Sequence, residues 1–325
     1  MIRMVHVRPS ALFATTEVAS GDTAASINIQ FDDIKNMRDI CTATKTVQVT
    51  PSKIFRTGCV SKASDADINK AITAMGIKTW IDLRSPAELA EDEHLNSKVY
   101  DGFQNYRYNK KRGEFVPDGA VNANSKRRYF VSLMSESLIK KGVFFRLRKR
   151  TRAQAIMLLG LSALSRRANA KVRSILLDKI NDGGLGLLNE LVIDYSAKEI
   201  IAVMKVIADA ENHPLGVYCT AGKDRTGIIA MLTLHVLGAT DEEIVADYVL
   251  SDAAYKDIND KKAMVAGLKQ RDVDPEIFLR AHPHVMKHGM NYLRTKFGSI
   301  TGFLDEYGFD ETWREQLRKN ARLSA

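Results

Sequence analysis

The 325-residue chain is 45% hydrophobic and 27% charged, ordinary globular proportions that exclude a disordered polypeptide. No apolar run approaches the roughly 18 residues that cross a bilayer, and three cysteines without CxxC or metal-ligand spacing exclude a disulfide scaffold and a structural zinc site. The net charge of +9 favours anionic partners, although the scarcity of aromatics among the basic residues disfavours nucleic acid.

Residues 1–25 read either as a disordered terminus or, because Arg3 and Arg8 precede any acid, as an organellar targeting segment. Sparse cysteine and the lack of a secretory apolar stretch otherwise predict an intracellular, cytoplasmic protein. One domain is expected over 26–325. Ser64 ahead of Asp65-Ala66-Asp67, with apolar Ile68, Ile72 and Met75 and then Gly76, predicts a capped and terminated helix, and Ile77 to Leu83 a strand. From Lys140 to Arg173 there are eleven Lys and Arg residues and no Asp or Glu, around an apolar run at 155–161. This predicts a basic helical insertion over about 130–185, which either packs its apolar side on the domain or lies on an anionic membrane through 140–173.

Ser196 with Glu199 forms a capping-box pattern before Ile200, Val203, Met204 and Ile207, and His213-Pro214 stops that helix. Leu215 to Tyr218 then reads as a buried strand and Thr226 to Leu237 as a buried helix, with Thr240 and Glu243 repeating the capping box for the next. Residues 255–297, rich in Lys, His and Arg, form either a lid or ordinary surface helices. Alternating helices and strands predict an α/β fold with a central, mostly parallel sheet flanked by helices, its loops gathered at one ligand-binding edge.

The most informative segment joins that strand to that helix: Cys219-Thr220-Ala221-Gly222-Lys223-Asp224-Arg225-Thr226-Gly227. Backbone N–H groups of a tight loop at a helix N-terminus converge on one point, and the helix dipole adds positive potential there, so a phosphate can be held by main chain. The same field, with Arg225 and Lys223 nearby, favours a thiolate at Cys219. The planar fork of Arg225 matches a trigonal PO₃ group in a way a lysine cannot. Gly222 and Gly227 permit close backbone approach. A nucleotide-binding P-loop is excluded by spacing, since Gly216 and Gly222 are separated by five residues and Asp224 stands where a magnesium-binding Ser or Thr would be.

This string resembles the signature of the cysteine-dependent (CX5R) tyrosine and dual-specificity phosphatases, in particular the branch typified by bacterial secreted tyrosine and phosphoinositide phosphatases with Lys-Asp inside the loop. Asn36-Met37-Arg38-Asp39-Ile40 is similar to that branch's opening motif. So are Ile54-Phe55-Arg56-Thr57-Gly58, the turn Ile81-Asp82-Leu83-Arg84-Ser85-Pro86-Ala87-Glu88, and the run Asp247 to Asp252; Gly298-Ser299-Ile300 completes the pattern. Residues 31–93 and 190–320 are covered in this way and 94–189 are not. The family usually has His before the nucleophile where this chain has Tyr218, which leaves open what takes over the imidazole's part in orienting the loop.

The resemblance and the residues together imply Cys219 as nucleophile and Arg225 as the phosphate clamp, with Thr220, Ala221, Gly222, Lys223, Thr226 and Gly227 lining the phosphate. Three aspartates compete as general acid: Asp224, Asp82 and Asp247. Asp224 is favoured, because it adjoins Arg225 and because the branch uses the loop's own Asp; Asp82 is the alternative, and equally an internal ion pair with Arg84. The Thr226 hydroxyl would donate to the thiolate or cap the helix. Neither metal nor other cofactor is called for, since Arg225 and main-chain donors neutralise the phosphate. Lys223, a second cation, suits a substrate with several phosphates. The implied partners are phosphotyrosine, phosphoserine or phosphothreonine proteins and phosphoinositides. A catalytically weak phosphate-binding module of the same fold is the alternative function.

Overall fold

The computed structural model describes residues 31–47, 50, 53–122, 125–134, 136–162, 165–255 and 274–321. Seven strands form one sheet: β1 (Arg38–Asp39), β2 (Ile54–Thr57), β3 (Thr79–Asp82), β4 (Phe103–Asn109), β5 (Glu114–Pro117), β6 (Lys126–Phe130) and β7 (Leu215–Tyr218). Their spatial order is β1-β2-β7-β3-β6-β4-β5, with the five inner strands parallel and the two edge strands antiparallel. The expected α/β architecture is thus the one observed. Every residue of β2, β3 and β7 is buried, as strands covered on both faces require.

The two-residue period of a strand sorts these side chains between two cores. Ile54, Ile81, Val217 and Cys219 belong to the larger one, while Phe55, Trp80 and Tyr218 belong to the smaller one on the opposite face. Gly216 is dictated by this packing, because a Cβ there would lie 2.2 Å from the Trp80 ring. In register, Thr57, Tyr218 and Asp82 end level with one another. The loops that follow β2, β7 and β3 therefore leave from a single edge, where open α/β sheets bind ligands.

On the smaller core sits α1 (Asp65–Ile68), capped by the Ser64 hydroxyl as its sequence implies and continued by a π turn to Ala74. The short α2 (Pro86–Ala90) follows β3. On the larger core lie α6 (Ala197–Ala208) and α7 (Asp224–Leu237). Ile200, Val203, Met204 and Ile207 of α6 are completely buried, at roughly 1.5–3 kcal/mol each. The capping box expected at Ser196 does not form. Only Ser196 separates α6 from the preceding helix; its hydroxyl donates to Leu133 O at 2.8 Å, and Glu199 pairs with Lys110 at 2.7 Å. The Thr240–Glu243 box does form, at the start of α8 (Asp241–Val249).

The basic stretch is helical: α3 (Glu136–Phe145), α4 (Lys149–Ser162) and α5 (Arg166–Tyr195), the last broken at Gly184, where φ is +54°. After α8 come a 3-10 turn (Leu250–Tyr255), α9 (Pro275–Leu279), α10 (Pro283–Phe297), α11 (Ile300–Glu306) and α12 (Glu311–Ala321). The expected targeting segment at 1–25, and 256–273 of the expected lid, lie outside the described residues. Among the described residues no helix is long and apolar enough to cross a membrane.

Candidate active site

Cys219 follows the last residue of β7 and is 2% exposed. α7 begins at Asp224, two residues before the start expected from sequence, so Asp224 and Arg225 occupy its first turn. Between them, four successive carbonyls face donors outside the loop. Thr220 O accepts from Cys59 N–H at 3.0 Å, and Ala221 O from the Tyr255 hydroxyl at 2.8 Å and Asn36 Nδ2 at 3.0 Å. Gly222 O accepts from Asn36 Nδ2 at 3.0 Å and Arg56 Nη2 at 2.8 Å, and Lys223 O from Arg56 Nη2 at 3.2 Å. In a trans peptide the following N–H points opposite to the C=O. The N–H groups of 221–224 are thereby turned to the concave side of the loop, where a helix N-terminus already favours negative charge. Gly222 has φ +62°, and a Cβ there would lie 2.2 Å from Thr57 O, so no other residue fits.

A buried ion-pair cluster holds the donors in place. Asp247 accepts from Arg38 Nε at 2.9 Å and pairs through its other oxygen with Arg56; Arg38 also donates to Asp247 O at 2.7 Å, to Ser251 Oγ at 3.2 Å and to Asn36 Oδ1. Burial, together with the neighbouring Arg56, pulls Arg38 down to about 10 against the opposing pull of Asp247. The Asn36–Arg38, Arg56 and Asp247–Ser251 motifs, far apart in sequence, are one scaffold for the loop. Asp247, a candidate general acid, is committed to this scaffold and lies 1% exposed.

Arg225 is gripped by Glu88, with Nη1 donating to Oε2 at 2.7 Å and Nη2 to Oε1 at 2.6 Å. Glu88 is set by its own turn: Ser85 N–H and Oγ donate to its Oε2 at 2.8 and 2.7 Å, and Pro86 opens α2 in a full capping box. The Thr220 hydroxyl donates to the same carboxylate. Burial alone would raise the Glu88 carboxyl, but the bonds and charge of Arg225 outweigh it and hold the group well below the carboxylate range. The two short bonds to Glu88 fix the plane of the guanidinium, whose remaining Nη donors make only long bonds, to Leu83 O at 3.4 Å and Thr220 Oγ1 at 3.5 Å. Sequence reasoning missed this role of Glu88; its one local signal was the Ser85-Pro86-Ala87-Glu88 capping pattern.

A cysteine just after a strand, a loop with its carbonyls turned out and an oriented arginine make a candidate site, and the family model described as "Tyrosine phosphatase family" matches residues 29–322. The chain belongs to the tyrosine phosphatase family. It is 30% identical over 132 residues to a tyrosine-protein phosphatase of Nostoc commune, 39% of this chain and 45% of that protein. A protein of Cupriavidus necator provisionally named a tyrosine-protein phosphatase is 24% identical over 309 residues, 91% of each chain. The triple specificity protein phosphatase PtpB of Mycobacterium tuberculosis is 27% identical over 124 residues, 34% of this chain and 44% of that protein. The matched segments thus span under half of the first and last of these relatives.

Tyr218, the departure from the family pattern, points to the face opposite Cys219. Its hydroxyl donates to Asp82 Oδ2 at 2.9 Å and lies 3.0 Å from the Tyr100 hydroxyl. Burial and the Asp82 charge push Tyr218 well above its ordinary range, so it stays a donor. Asp82 also accepts from Arg84 Nε at 2.9 Å and Nη2 at 2.7 Å, and from Arg128 Nη2 at 3.3 Å. This corrects the alternative assignment of Asp82 as acid. Paired with Tyr218 across the sheet, it shares that residue's face, is 1% exposed and is the ion-pair partner of Arg84.

Asp224 keeps an accessible carboxylate, 26% exposed, with Oδ1 receiving the Tyr248 hydroxyl at 3.1 Å. Gly227 packs against the Tyr248 ring, 3.2 Å from a Cβ built on it. Thr226 Oγ1 is buried without a hydrogen-bond partner, so neither capping nor the donation to Cys219 expected from sequence is made. Lys223 differs from expectation most. Its ammonium is 2% exposed and donates to Phe278 O at 2.6 Å and Arg280 O at 3.1 Å. The end of α9 presents carbonyls with no helical partner, and a cation is drawn to them. Lys223 therefore ties the loop to the 274–281 segment and does not stand as a second substrate cation.

Proposed function

We propose that the chain is a metal-independent phosphomonoester hydrolase that works through a phosphocysteine. The outward turn of the four carbonyls from Thr220 to Lys223 carries this reading, because it leaves the opposing N–H groups to a phosphate beside Cys219. In the first step the Cys219 thiolate attacks phosphorus; the S–P bond forms, the P–O bond to the leaving group breaks, and Asp224 protonates the departing oxygen. Arg225, its plane set by Glu88, meets two equatorial oxygens as the PO₃ group flattens. In the second step water attacks phosphorus, gives its proton to Asp224 and releases Cys219. Main-chain N–H groups of Ala221 to Asp224, at the start of α7, supply the remaining positive field.

The substrates are phosphotyrosine, phosphoserine or phosphothreonine proteins and phosphoinositides, a breadth supported by the CX5R loop with Lys-Asp inside it and by a relative named for triple specificity. Residues 26–325 form one phosphatase domain, with a basic helical insertion over about 130–185 and 255–297 as a cover. The bonds of Lys223 to Phe278 O and Arg280 O, and of Tyr255 to Ala221 O, support the cover. The proposed setting is cytoplasmic. Phosphate release from phosphopeptides and phosphoinositides in EDTA, with Cys219→Ser alongside, tests the function. Release abolished by the substitution is expected; phosphate binding without turnover in the unmodified protein assigns the chain to a binding module instead.

A further inference from the structure

The α4–α5 hairpin ends in an apolar tip that nothing in the phosphatase chemistry uses. Ile156, Met157, Leu159 and Leu161 are 57%, 63%, 45% and 50% exposed, four of the seven exposed large apolar side chains among the described residues. α4 packs chiefly on α5, through a stripe that includes Thr151, Ala155 and Leu158. We propose that this tip docks on an anionic lipid membrane, entering end first.

The distribution of the apolar residues selects a lipid over a protein groove. At 3.6 residues per turn, Ile156, Met157, Leu161 and Leu159 lie at about 0°, 100°, 140° and 300° around the α4 axis. A helix that fills a groove keeps its anchors on one side, whereas acyl chains surround an inserted tip on all sides. The rise from Ile156 to Leu161, about 7.5 Å, matches the roughly 5–10 Å to which interfacial elements bury.

Charge completes the match. Exposed Lys149 and Arg150 open α4, while exposed Arg166, Arg167 and Lys171 flank the tip on α5, with no acid anywhere from 140 to 173. Cations and apolar groups are segregated along the α4 axis and not around it. A helix lying flat on the surface, as expected from sequence, would need the opposite arrangement. Arg166 and Arg167 open α5 beside Leu161, at the same end of the α4–α5 pair, and their long side chains would extend back from the inserted end to the anionic headgroups. α5 also braces the segment next to the catalytic loop: Asn181 Oδ1 accepts from Asp274 N–H at 3.2 Å, and a Cβ on Gly184 would lie 3.0 Å from Ile277. Docking would thus set the active site at a fixed height above the bilayer.

The test is sedimentation of the full chain with phosphatidylcholine vesicles made with and without phosphatidylserine, alongside p-nitrophenyl phosphate turnover in solution as a check on folding. Binding is expected only to the anionic vesicles, to weaken with salt, and to fall at least about thirtyfold for Arg166→Glu with Arg167→Glu, at roughly fivefold per basic residue. Met157→Glu with Leu161→Glu should abolish binding, and both double variants should retain turnover. No sedimentation of the unmodified protein with anionic vesicles overturns the proposal, as does binding that Met157→Glu with Leu161→Glu leaves intact. Self-association lost in that variant, without lipid binding, would assign the tip to a second copy of the chain. Absence of turnover throughout would count against the phosphatase reading and leave the vesicle result to decide the docking on its own.

Discussion

Glu88 and Arg225, 137 residues apart, meet in a two-pronged ion pair at 2.6 and 2.7 Å with the arginine 11% and the glutamate 16% exposed. This pair joins the turn after β3 to the first turn of α7 and fixes the plane of the guanidinium that the proposed mechanism sets against the phosphate. Glu88→Gln keeps the shape of the turn but removes the charge. A misplacement of about 1 Å at a clamp costs on the order of 10²-fold, so kcat/KM should fall by about that factor with the circular dichroism spectrum unchanged. Activity equal to the unmodified protein would remove Glu88 from the machinery.

The same pair predicts a pH dependence. The folded carboxyl is held well below its ordinary 4.5, so its contribution to stability is complete above 4.5 and is lost as pH falls below that value toward the folded pKa. Thermal melts from neutral pH down to pH ~3 should show an acid loss that is shallower in Glu88→Gln than in the unmodified protein. Parallel acid limbs would be the contrary result.

Asp224→Asn should slow substrates with poor leaving groups by about 10²–10⁴-fold, the usual range for losing a general acid. The loss should shrink for p-nitrophenyl phosphate, whose leaving group needs no proton. Equal losses on both substrates would assign Asp224 to helix capping alone.

Asp247 lies between two buried arginines, with side chains 2% exposed for the aspartate and 1% for Arg56. Asp247→Asn leaves the arginines facing each other without a counter-charge. Breaking a buried pair in this way costs about 3–5 kcal/mol, measurable by urea unfolding. Binding of vanadate should weaken as well, because Arg56 is the donor to Gly222 O and Lys223 O.

Tyr218→Phe removes one donor from Asp82 and leaves Arg84 and Arg128 on it. A destabilisation of about 1–2 kcal/mol is expected, with kcat and its pH profile within about twofold of the unmodified protein, as a side chain on the face opposite Cys219 implies. A displaced pH profile would instead show that Tyr218 tunes the thiol.

The segment from Leu215 to Leu237 was readable because its chemistry is local: the strand end, the glycine, the arginine and the helix start are contiguous, and the backbone geometry that concentrates positive potential is fixed by that order. The capped helix after Ser64, the Thr240 box and the mostly parallel sheet were readable for the same reason. Other features depended on distance in space. Ser196 and Glu199 have the local signature of a cap, but Leu133 and Lys110 offer partners that the local rule does not see. Lys223 has the sequence context of a substrate cation, yet the carbonyls of Phe278 and Arg280, more than fifty residues on, take its ammonium.

The sequence by itself thus determined the layer architecture and the strand–loop–helix that carries the candidate nucleophile, since short-range order of residue types sets backbone conformation and field. Only the tertiary structure decided which carboxylates are free to act. Asp82 and Asp247 are consumed by Arg84, Arg128, Arg38 and Arg56, Glu88 is recruited to Arg225, and Asp224 keeps an accessible side chain. The physical reason is that a buried charge must find a partner, and partners are assigned by the register of strands and the packing of helices, which no single stretch of sequence specifies.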